Sequence, residues 1–136
     1  MKSYSKDLHF LEISIKEIKD YLFSQQIYWS LGSGVPLTLG NLLFSRLKLN
    51  SYPLSEELQK NFAEYSSKID EIREKWHSNW QQKAKREFSA RYILWSNYMI
   101  DLMEDIGEHS FCYDHEIQMR VLLDILAGEF YPDLIP

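Results

Sequence analysis

The stretch SEELQKNFAEYSSKIDEIREKWHSNWQQKAKREFSARYILWSNYMIDLMEDI, residues 55–106, contains neither Gly nor Pro. Within it Leu58, Phe62, Tyr65, Ile69, Ile72 and Trp76 step by 4, 3, 4, 3 and 4. Trp80, Ala84 and Phe88 come next at steps of four, and Tyr92, Trp95, Met99, Leu102 and Ile106 restore the alternation. Steps of three and four keep side chains on one stripe of a helix with 3.6 residues per turn. Consecutive steps of four form a stutter, which unwinds a supercoil locally without ending the helix. At about 1.5 Å per residue a single helix of this span would be roughly 80 Å long, more than a compact domain of this size accommodates. The expectation is therefore a long central helix, bent or broken, with a hairpin near Ser78 as the alternative, Ser78 and Asn79 being the local turn signal. Ser55 with Glu56, Glu57 and Leu58 opens it, the acids favouring the positive end of the helix dipole.

Toward the N-terminus, Leu8, Leu11, Ile15, Ile18 and Leu22 step by 3, 4, 3 and 4, a heptad seam like that of a coiled coil. Phe10, Ile13 and Tyr21 widen the stripe, which suits a bundle helix running from about Ser5 to Trp29. Gly32, Gly34, Pro36 and Gly40 punctuate the segment after Trp29. Thr38 is placed to cap a short buried connector helix carrying Leu39, Leu42, Leu43, Phe44 and Leu47, ended by Asn50, Ser51 and Pro53. Beyond the central stretch Gly107 acts as a stop and Glu108 to Asp114 as a loop. A last helix presents Ile117, Val121, Leu122, Ile125 and Leu126, with Gly128 expected at C′. These readings combine into an all-α, up-and-down helical bundle forming one domain over residues 1–136.

Composition agrees with a packed domain: 45% of residues are apolar and 15% aromatic. The single cysteine, Cys112, excludes an intramolecular disulfide, and MKSYSKDLHF lacks the apolar run of a signal peptide, so a cytoplasmic protein is expected. No charge occurs between Asp20 and Arg46, but Gly, Pro, Ser and Gln within that run argue against a membrane span. The net charge of −5 is uneven: residues 101–136 hold one basic and nine acidic side chains.

Four groups of residues raise chemical possibilities. His109, Cys112 and His115 are zinc-type donors in one short segment, although their spacing matches no known finger. Glu74 and His77 spell a single Glu-x-x-His, whereas a di-iron bundle needs two copies and two further glutamates. Lys83, Lys85, Arg86 and Arg91 form a basic patch beside Trp76 and Trp80, which raises nucleic-acid binding. The net negative charge opposes that reading, and the tryptophans fall on the apolar seam. No nucleophile elbow and no phosphate loop is present. The fourth group is aromatic: Trp76, Trp80, Tyr92 and Trp95 are candidate interface anchors, because large aromatic rings dominate protein interfaces. The expectation is a non-enzymatic helical interaction protein without cofactor, bound to a protein partner or to itself. A small metal-binding or catalytic bundle and a nucleic-acid binder are the alternatives.

Overall fold

The computed structural model describes residues 3–32, 34–104 and 113–130, and among these it shows helices and no strand. The helices are α1 (Ser3–Phe23), α2 (Leu39–Asn50), α3 (Glu56–Lys75), α4 (His77–Glu104) and α5 (Tyr113–Phe130). The all-α bundle is as the periodicity requires. Leu11 and Ile18 of the α1 seam are fully buried, Leu8 and Leu22 nearly so, and the core they enter includes Leu39, Leu42, Leu49, Ile69, Trp80 and Leu126. Helix α2 is the expected connector: Thr38 Oγ1 accepts from the Asn41 amide at 2.9 Å, and α2 lies among α1, α4 and α5. Ser55 likewise caps α3.

Three boundaries differ from expectation. Helix α1 ends at Phe23, six residues before Trp29. The Ser24 amide and hydroxyl both turn back to the Tyr21 carbonyl, at 3.0 and 2.7 Å, and the chain then runs into a loop closed by reciprocal Trp29–Leu37 backbone bonds. Gly32 and Gly34 allow that loop to reverse, with φ of 98° and 76°. The long stretch is broken at Trp76, two residues before Ser78, and it is not a hairpin: α3 packs mainly on α1, and α4 mainly on α5. Trp76 has φ −113° and ψ 44°, yet its amide still reaches Ile72 and its carbonyl still accepts from Trp80. Breaking there lets α3 keep its stripe on α1 while Trp80 and Ala84 enter the core. Finally, Gly128 is helical rather than at C′, because α5 continues to Phe130. Its last turn is held by Glu129, bonded to Trp80 and Arg73, and by Phe130 packed edge-on against Phe88.

Candidate protein-docking surface

The basic patch is the first group the structure redistributes. Lys83 is buried, and its ammonium donates to the Ser24 carbonyl at 2.8 Å, the Ser24 hydroxyl at 3.2 Å and the Gln26 carbonyl at 2.6 Å while lying 4.4 Å from the centre of the Tyr21 ring. Arg86 donates to the Gln25 carbonyl. Arg91 pairs with the fully buried Glu87 at 2.7 Å and reaches Thr38 and Asn41. The other Glu87 oxygen accepts from the Gly40 amide, so this carboxylate sits on the N-terminus of α2, where the helix dipole favours a negative charge. Three of the four patch cations thus fasten residues 24–41 to α4, while Lys85 and Arg86 are both exposed. Carbonyls occupy the Lys83 ammonium, and a carboxylate occupies Arg91 Nε.

Burial lowers the Lys83 ammonium from the ordinary lysine value to about 8, and the Arg86 charge adds to the effect. Between that value and the unfolded one the unfolded chain holds the extra proton, so stability rises with pH. The Tyr21 phenol is pushed up by burial and then by Glu87, so above its ordinary value the unfolded chain loses a proton first and stability falls. The urea midpoint is therefore expected to climb between about pH 8 and 10 in the native protein and to lose that climb in Lys83→Met. A native midpoint flat over this window would show that the buried ammonium carries no penalty.

The aromatic candidates separate in the same way. Trp80 is fully buried, with its indole N–H on Glu129 at 2.8 Å, so it is a core residue and not an exposed anchor. Sequence periodicity cannot tell a core seam from an interface seam, because both require the same stripe. Trp76 is half-buried at the α3–α4 break, packed against Phe23 with ring centres 4.9 Å apart and with Lys19 and Lys75 over its face. Tyr92 and Trp95 lie together on α4, with Tyr92 also stacked on Phe88, and Tyr92 is 48% exposed. The Trp95 indole nitrogen is buried without an acceptor among the described residues.

A feature that the periodicity did not single out lies one residue further on. Ile93, Ser96, Ile100 and Met103 step by 3, 4 and 3, a second seam beside Tyr92, Trp95, Met99 and Leu102. Ile93 is 59%, Ile100 54% and Met103 75% exposed. With Tyr92 these residues cover an arc of about 100° on the helix, at 3.6 residues per turn. Glu104 is exposed along its edge, Asp101 is exposed about 80° further round the helix, and Ile117 of α5 is exposed as well.

No family model, curated protein or solved structure matches this chain. The capability of the surface is set by its own geometry. Glu74 and His77 are both exposed and fall on opposite sides of the Trp76 break, so they do not form an i,i+3 pair on one helix. His109, Cys112 and the side chain of His115 lie outside the described residues, among which no three His, Cys, Asp or Glu side chains are grouped to hold a metal. A shallow groove between α1 and α3 brings His9, Glu12, Asn61 and Tyr65 together. There burial and then the Glu12 carboxylate raise the Tyr65 phenol above its ordinary value, leaving a neutral hydroxyl beside an exposed imidazole.

Proposed function

We propose that this protein is a non-enzymatic helical interaction module of the cytoplasm, a subunit or adaptor that docks another polypeptide on the Ile93–Ile100–Met103 stripe of α4. The observation that carries this reading is the exposure of those three side chains on the last turns of α4, which are apolar almost all round. Of the twelve residues from Tyr92 to Met103, nine are apolar and one is charged. A helix of that composition is normally an interior one. Here α5 is its main packing neighbour. Contiguous exposed apolar surface of this kind marks interaction sites in soluble domains. No helix among the described residues is long and apolar enough to cross a membrane.

A photo-crosslinking amino acid placed at Ile100 tests the reading in the native host. Discrete higher-mass adducts are expected from that position, absent from the same residue placed at the exposed Lys60 of α3, and lost when Met103→Glu is added. No adduct, or one pattern common to both positions, removes the proposal.

A further inference from the structure

The stripe has a definite electrostatic setting. Residues 101–136 carry one basic side chain, Arg120, against nine acidic ones. By sequence, the cations that could have neutralised this end are those around residues 73–91. Half of the six bond elsewhere: Lys83 and Arg86 to backbone carbonyls of Ser24–Gln26, and Arg91 to Glu87. Among the described residues Arg73 alone of these reaches a C-terminal acid, Glu129. Glu104 at the stripe edge, Asp101 further round α4 and Asp124 of α5 remain exposed.

We infer that the occupant of the stripe is an amphipathic helix with basic flanks, whose apolar residues seat on Ile93, Ile100 and Met103 and whose Lys or Arg side chains meet Glu104 at the stripe edge and the acidic field of the C-terminal third. This inference rests on the docking role of the stripe and goes on to name its partner. A knob pattern stepping by 3, 4 and 3 is complementary to another helix at a shallow crossing angle. Opposite potentials across an interface speed association and reject wrong partners. A second copy of this chain brings its own acidic end to the contact, and an anionic lipid surface repels the same carboxylates, so both fit the charge less well.

The probe is a pair of synthetic 18-residue amphipathic helices with the same leucine seam, one flanked by lysines and the other by glutamates, titrated into the full chain. The lysine peptide is expected to bind at least about tenfold more tightly, with affinity falling as salt rises. Met103→Ser should abolish its binding without shifting the unfolding midpoint, since Met103 is already 75% exposed. Asp101→Asn with Glu104→Gln should shrink the difference between the peptides while leaving docking intact. Equal affinity for both peptides overturns the basic partner and leaves the docking role standing. So does a dimer in light scattering that Ile100→Ser dissolves, whereas binding to phosphatidylcholine vesicles in place of either peptide overturns both the basic partner and the docking role. Binding that survives Met103→Ser also overturns the inference, because charge alone would then be responsible.

Discussion

Glu87→Ala is expected to destabilise the protein by about 3 to 5 kcal/mol, the usual cost of removing one member of a buried ion pair. Glu87 is fully buried, and its two oxygens are committed to different elements: one accepts from the Gly40 amide at 3.0 Å, the other from Arg91 Nε at 2.7 Å. Truncation strands a largely buried guanidinium and leaves an α2 N-terminal amide without its carboxylate. Gly40 makes the test sharper. A Cβ built there would stand 2.5 Å from Glu87 Oε2. Replacing a helical Gly by Ala normally stabilises by about 0.5 to 1 kcal/mol, because Gly loses more backbone entropy on folding. In the native background Gly40→Ala should instead cost about 1 to 3 kcal/mol, as overpacking does. In the Glu87→Ala background the obstructing carboxylate is gone, and the same substitution should become neutral or stabilising. The sign reversal, read from urea midpoints of the four-member cycle, tests contact between the two residues. Additive costs would show that the carboxylate does not sit against Gly40.

The helical bundle was legible because burial imposes the 3–4 period, and Leu8 to Leu22 and Leu58 to Trp76 keep to it without interruption. The Thr38 cap and the helix start at Ser55 were legible for the same reason of local chemistry. The break at Trp76 was not, since no Gly or Pro marks it. It arises from a tertiary demand, α3 tracking α1 while α4 turns toward α2 and α5. The fate of the basic run was hidden for a related reason. Whether a lysine is solvated or caps a carbonyl depends on where the Ser24–Gln26 loop lies, far away in sequence. The exposed stripe left a trace: from Tyr92 onward two 3–4 seams run side by side, one more than the contact with a single neighbour requires.

Trp80→Ala is the substitution that separates a core tryptophan from an interface tryptophan. Truncating a fully buried Trp costs about 3 to 5 kcal/mol, from lost apolar transfer and the cavity left behind. Here Ile69, Leu126 and Ala84 belong to the same core and are themselves fully buried, and Glu129 would lose the indole donor that helps keep the last turn of α5 wound. Trp80→Phe isolates the second effect, since it keeps most of the ring and removes the N–H. A cost of about 1 to 2 kcal/mol is expected, limited because Arg73 still pairs with Glu129 at 3.0 Å. Adding Arg73→Ala to Trp80→Phe should then cost more than the sum of the single changes, since the 13%-exposed Glu129 carboxylate would keep neither partner. A residue whose role was to seat a partner would behave otherwise, leaving the urea midpoint of the isolated protein near its native value. If Trp80→Ala shifts that midpoint by no more than Ile100→Ala does, Trp80 lies on the docking surface and the packing of α4 against α5 has been misassigned.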